Sequence, residues 1–256
     1  MKILQYLFIS FSHKILKILP YRLIKLLSVP IGTIYFLLTF RSSIKLFKRR
    51  KIFEKLKINY KPLIVKINYT RYWLETLWLT NKNFSKHITP HVEIENQEYV
   101  DKLKKQYPGL IFALPHLGNW EFAIPMGKIL DLNLVAVAEP LDDEKILHWF
   151  TELREDLGCK IILGGKGQNT FERVKEFLKN GHHVCLLSER HVGKSGVGVE
   201  FFNQMAAFPK GPVSLSLDTQ LPIVPAAFIK SGNKYQLHFG KPFICLLYTS
   251  DAADEG

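Results

Sequence analysis

The sequence predicts an α/β protein: a central, mostly parallel sheet flanked by helices, preceded by an N-terminal amphipathic helical region. Three observations lead there. From about residue 90, short apolar runs bounded by Gly and Pro alternate with amphipathic segments, the pattern of strands joined by crossover helices. Before that point the chain is apolar and cationic. Residues 1–90 hold 18 Lys/Arg against two acids, Glu54 and Glu75, whereas residues 91–256 hold 17 Lys/Arg and 21 Asp/Glu. The net charge of +12 is therefore carried by the first third, and 256 residues that are 47% hydrophobic suffice for one sizeable core.

In residues 1–40, apolar runs are punctuated by single basic residues, Lys14, Lys17, Arg22 and Lys25. The uncharged stretch Leu26–Phe40 is 15 residues long and includes Pro30 and Gly32. A spanning helix needs about 20 apolar residues. A signal peptide would end in a small-residue cleavage site; here Phe40 is followed by Arg41, Lys45, Lys48, Arg49, Arg50 and Lys51. Residues 1–60 thus read as one or two helices lying in the interface, with a polybasic stretch against anionic headgroups. The competing reading is a solvated helix face on a soluble core. Leu, Ile, Phe and Tyr accompany the charge, which favours a membrane over a nucleic acid as the partner.

Residues 62–80 read as a helix with Tyr69, Tyr72, Trp73, Leu77 and Trp78 near helical spacing. They are expected mostly in the core, with a lipid contact open because Trp and Tyr favour interfaces. Expected strands are Leu110–Leu114, Leu134–Ala138, Lys160–Leu163, Val184–Leu187, Ile223–Ile229 and Tyr235–Phe239; expected helices are Glu121–Leu130, Asp143–Leu157 and Thr170–Asn180. In such a fold, functional residues gather where strands end.

The sharpest motif follows the first of these strands: ALPHLGNWE, residues 113–121. His116 lies just past the strand, Gly118 and Asn119 place a turn, and Glu121 falls where a helix begins. A carboxylate five residues on can hold one imidazole nitrogen while the other takes a proton from an attacking hydroxyl. The bare spacing is more often structural. GGKG at residues 164–167 and GKSG at 193–196 lack the full phosphate-loop pattern, and no Gly-x-Ser-x-Gly elbow is present. His182 and His183 read as turn residues before a strand. Cys159, Cys185 and Cys245 have no metal-binding spacing; no metal is expected, and the compartment reads as reducing.

Several blocks in order resemble the bacterial lipid A lauroyl and myristoyl acyltransferases, and more closely their relatives that acylate phosphatidylinositol mannosides. RYWLE (71–75) and ALPHLGNWE (113–121) are followed by VAEP (137–140), LREDLG (153–158), VCLLSER (184–190), GVEFF (198–202) and PKGP (209–212). The likeness covers about residues 65–244 and implies a glycerolipid-acyltransferase-like domain over 61–244. It implies transfer of a fatty acyl group from acyl-CoA or acyl carrier protein to a glycolipid hydroxyl, at the cytoplasmic face of the inner membrane, with no cofactor beyond that co-substrate.

By resemblance, His116 is the base, Glu121 or Glu200 its partner, and Arg154 the cation near the thioester carbonyl. Gly118, Asn119, Trp120, Arg190, Phe202 and Lys210 are expected at the substrate. Ser188–His191 replaces the family's Asp-Arg-Asp, so the carboxylates there are open. The acceptor is a phosphatidylinositol mannoside or, alternatively, a lipid A precursor. A non-catalytic membrane scaffold and a basic nucleic-acid-binding protein are the readings of another class, the latter lacking interleaved aromatic and basic residues. Residues 245–256, CLLYTSDAADEG, resemble a translated sequencing-library adapter, which predicts that the natural chain continues past Ile244; the other reading is an ordinary acidic terminus.

Overall fold

The computed structural model describes residues 2–40, 61–165, 167–190, 196–232 and 234–245. The polybasic run from Arg41 to Lys51, most of the GKSG segment and residues 246–256 lie outside the described residues. The chain forms two compact units, Met1–Pro90 with Asp143–Phe150, and His91–Asp142 with Thr151–Gly256. The first unit thus takes in residues 61–90, which the sequence reading assigned to the catalytic domain.

The first unit contains α1 (Lys2–Leu16), α2 (Tyr21–Leu38), α3 (Pro62–Trp78) and α4 (Asn81–His87). Pro62 opens α3, where a missing N–H costs nothing. Thr80 caps α4 by accepting from the Asn83 amide at 3.1 Å. α2 and α3 approach closely at Gly32, where a Cβ would lie 2.6 Å from the Ile67 Cα. Ser28 and Thr70 are buried as well, so small side chains allow the contact. Polar groups then lock it. Tyr21 donates from its hydroxyl to Glu75 Oε1 at 2.6 Å, and Arg71 Nε donates to Ser28 Oγ at 3.3 Å. The RYWLE segment is therefore a helix-packing element. Of the aromatic residues expected in the core there, Trp78 is buried and Tyr69 is exposed.

On α1, Ile3, Leu4, Leu7, Phe8, Phe11 and Ile15 are exposed at the spacing of one helical stripe. α2 differs from its reading. It runs for 18 residues because it begins at Tyr21, before Arg22 and Lys25, and continues through Pro30. It is long and apolar enough to cross a membrane by length and composition, yet Tyr21, Ile24, Ser28 and Gly32 are buried on one side.

In the second unit the described residues form a seven-stranded sheet and a separate hairpin. The strands are β1 (Val92–Glu95), β2 (Ile111–Leu114), β3 (Leu134–Ala138), β4 (Cys159–Leu163), β5 (His183–Leu187), β6 (Val197–Phe201), β7 (Gln204–Phe208), β8 (Ile223–Ser231) and β9 (Lys234–Phe239). The helices are α5 (Gln97–Gln106), α6 (Ala123–Ile129), α7 (Glu144–Leu157), whose first half belongs to the other unit, α8 (Thr170–Lys179) and α9 (Gly211–Thr219). The large sheet has the order β1-β9-β8-β2-β5-β3-β4. β8, β2, β5, β3 and β4 are mutually parallel; β9 turns back antiparallel to β8, and β1 runs parallel to β9.

All six expected strands are present within a few residues. β1 was not anticipated, since VEIE alternates half-buried with exposed at a sheet edge. The β6–β7 hairpin was missed because its apolar residues face solvent. The core gathers Ile111, Val135, Ile162 and Val184 from β2, β3, β4 and β5 with Val174 and Leu178 of α8 and Leu215 of α9. Each central strand is apolar on both faces, as a sheet covered by crossover helices requires.

Candidate active site

The site stands at the carboxyl ends of two neighbouring parallel strands. β2 pairs with β5 so that Leu114 lies opposite Leu187. The Ser188 amide extends the ladder, donating to the Leu114 carbonyl at 2.8 Å. Two residues past that last pair, His116 and Glu189 are level with each other, and His116 Nδ1 lies 2.5 Å from Glu189 Oε1. An ionised carboxylate only accepts, so Nδ1 is the donor of this bond, and in the neutral ring Nε2 then bears the lone pair. Trp120 meets the imidazole edge-on, with ring centroids 4.7 Å apart. The ring is held from two sides while a third of its surface stays open to solvent.

The loop that carries His116 is shaped by its own residues. Gly118 has φ +63°, and a Cβ there would lie 3.1 Å from the Phe228 carbonyl of β8. Any L side chain is thus opposed by both backbone conformation and space. Asn119 is buried, and a 3-10 turn, Trp120–Phe122, carries the chain into α6. β5 lies between β2 and β3 although it follows both in sequence. The connection from β2 leads to β3 on one side and that from β5 leads on to β8 on the other, so the His116–Glu189 pair sits between crossovers of opposite direction, the usual place for ligands in open α/β sheets.

Glu121 does not contact the imidazole. Its side chain is 1% exposed and is gripped bidentately by Arg154 of α7, with Nε 3.0 Å from Oε2 and a terminal nitrogen 2.6 Å from Oε1. Two of the guanidinium donors expected to face a thioester carbonyl are therefore committed to a buried carboxylate. α7 ends just beyond, at Leu157, and the Gly158 amide that follows donates to the Arg154 and Glu155 carbonyls.

Glu200 does not partner His116 either. It lies on the exposed strand β6, opposite Met205, and has no hydrogen-bond or ion-pair partner among the described residues. Phe202 is at the hairpin tip against Phe201, and Arg190 and Lys210 are exposed at the two ends of the hairpin segment. The structure thus brings together His116, Trp120 and Glu189, with the Glu121–Arg154 pair one turn further on. The residue that sequence reading missed is Glu189. Its signal was present, since Ser188–His191 stands where the resembled family carries an acidic stretch.

His182 and His183 lie at the amino-terminal end of β5, away from the strand ends that carry His116 and Glu189. His183 begins β5 rather than lying in the turn before it. Burial, reinforced by the charge of Lys104, lowers its pKa to about 4, so it is neutral. Burial also pushes the Cys185 thiol up to about 12, which leaves it unreactive. Among the described residues no cluster of His, Cys, Asp and Glu could hold a metal ion.

Comparison with known proteins finds acyltransferases among the relatives of this chain. The chain is 32% identical over 161 residues to a phosphatidylinositol mannoside acyltransferase of Mycobacterium tuberculosis, covering 62% of this chain and 51% of the relative. It is 32% identical over 162 residues to the protein of that name from Mycolicibacterium smegmatis, covering 62% and 52%. The chain therefore spans about half the length of the curated relatives it matches. The sequence model of the bacterial lipid A biosynthesis acyltransferases matches residues 2–254, and the chain belongs to that family.

Proposed function

We propose that this protein is an O-acyltransferase that moves a fatty acyl group from a thioester, acyl-CoA or acyl carrier protein, onto a hydroxyl of a membrane glycolipid. A phosphatidylinositol mannoside is the acceptor best supported, because both quoted relatives carry that name. The observation that carries the chemistry is the His116–Glu189 pair.

In the proposed reaction His116 Nε2 takes the proton of the acceptor hydroxyl as its oxygen bonds to the thioester carbonyl carbon. Glu189 holds the tautomer and stabilises the imidazolium that forms. The tetrahedral intermediate collapses, the C–S bond breaks, and the thiolate leaves with the imidazolium proton. The products are an ester and a free thiol, and His116 returns to its starting state. Arg154 acts in this reading through Glu121, bracing the turn that carries Trp120 against the imidazole. A direct bond from its guanidinium to the oxyanion is the alternative role.

The apolar stripe of α1 and the exposed apolar residues of α2 support attachment to a membrane surface, in this reading the cytoplasmic face of the plasma membrane. The cationic residues 41–51 would add attraction of about 1 kcal/mol each near anionic lipid. The test is transfer of labelled acyl chains from acyl-CoA and from acyl carrier protein to extracted membrane lipids. His116→Ala is expected to reduce transfer by about 10²- to 10⁴-fold. The labelled lipid identifies the acceptor and separates a mannoside from a lipid A precursor, which the family description favours. Folded protein that transfers from neither donor would refute the assignment.

A further inference from the structure

We propose that the β6–β7 hairpin is a lipid-penetrating element, whose aromatic tip enters an anionic bilayer at the mouth of the site. This inference rests on the reading of the acceptor as a membrane lipid. Every residue of β6 is exposed, and Val199, Phe201, Phe202 and Met205 expose between 43% and 74% of their surface. Exposed apolar residues so concentrated on one short hairpin mark an interaction surface rather than scattered surface hydrophobics.

The turn adds a second, independent observation. Phe201 pairs with Gln204, leaving a two-residue loop of Phe202 and Asn203 at φ +51° and +57°. Such a loop calls for Asn, Asp or Gly at both positions. Asn203 conforms. Phe202 is a bulky aromatic in a left-handed conformation, edge-on to Phe201 and still 59% exposed. A side chain kept against its backbone preference at an exposed tip points to a use for the side chain itself.

Charge identifies the occupant. Among the described residues of the segment 190–210, Arg190 and Lys210 stand against one acid, Glu200. An apolar tip with cations at its base suits anionic headgroups above hydrocarbon. Position supplies the purpose. The hairpin is inserted between Glu189, at the carboxyl end of β5, and α9, which returns the chain to the parallel strand β8. Both of its ends thus leave from the edge that carries His116, so its insertion would set the dyad at headgroup depth.

The experiment measures partition of the whole chain onto mixed phosphatidylcholine–phosphatidylglycerol vesicles by flotation. Phe202→Asn removes the aromatic ring while supplying a residue at ease in the turn, so the fold is retained and a melting curve verifies it. The expected result is about tenfold weaker partition. In a second variant, Phe202→Trp, the added indole is expected to be quenched by lipids brominated along their acyl chains. Unchanged partition of both Phe202→Asn and Met205→Gln, with no quenching of the added indole, would overturn the proposal. So would a lipid-free dimer that Phe202→Asn dissolves, which would assign the hairpin to a second copy of the chain. Acyl transfer is read separately, so hairpin-dependent binding without transfer would refute the enzymatic reading and leave the lipid contact standing.

Discussion

Arg154→Met would leave the Glu121 carboxylate in a site where its side chain is 1% exposed, stripped of both bonds of the bidentate pair. Breaking a buried ion pair from one side costs about 3–5 kcal/mol, because the remaining charge keeps its desolvation penalty. That is a large fraction of the roughly 5–15 kcal/mol by which a folded domain is stable. Glu121→Met strands the guanidinium instead, and should cost less because Arg154 is 22% exposed and reaches some water. The double variant removes both charges and fills the space with side chains of similar volume. It is expected to recover most of the loss, as apolar replacements of buried pairs do.

Urea denaturation of the four proteins gives the coupling energy directly. A coupling of at least about 2 kcal/mol is expected. Additive losses below about 1 kcal/mol each would refute the reasoning, since they would describe a solvated pair. Transfer by the folded double variant then separates the two roles of Arg154. Near-normal turnover means that it acts by bracing the loop; lost turnover at restored stability means that the guanidinium reaches the substrate.

Glu189→Gln should lower kcat by roughly ten- to ten-thousand-fold with little change in KM, with partial rescue by Glu189→Asp; a wild-type rate would remove Glu189 from the mechanism. Gly118→Ala, at φ +63° and 3.1 Å from the Phe228 carbonyl, should destabilise by about 1–2 kcal/mol and reduce transfer, checked by melting and turnover of one preparation. His183 predicts acid sensitivity. Its folded pKa, about 4, lies below the ordinary 6.5, so the unfolded chain binds more protons between those values. Its contribution is complete above about pH 6.5 and is lost as pH falls toward 4, by about 2 kcal/mol after solvent screening. His183→Leu should flatten that limb of the stability–pH curve, and an unchanged slope would place the sensitivity elsewhere.

The α/β class is legible in the chain alone, because IFAL, LVAVA and VCLL are unbroken apolar runs separated by amphipathic segments. The chain also singles out His116 as the candidate base, through its surroundings in ALPHLGNWE. The partner of His116 was decided by tertiary structure. Glu121 is near in sequence, but Arg154 approaching from α7 claims it. Glu189 is 73 residues away and meets the imidazole because β5 inserts between β2 and β3 in a register that sets residues 116 and 189 level. Strand order and register are properties of the assembled sheet, and no local pattern encodes them. Glu200 fails for the same reason in reverse, since its hairpin satisfies its own backbone bonds apart from the large sheet. Periodicity reports which side chains want burial; which distant carboxylate reaches a given imidazole depends on how the buried surfaces are finally matched.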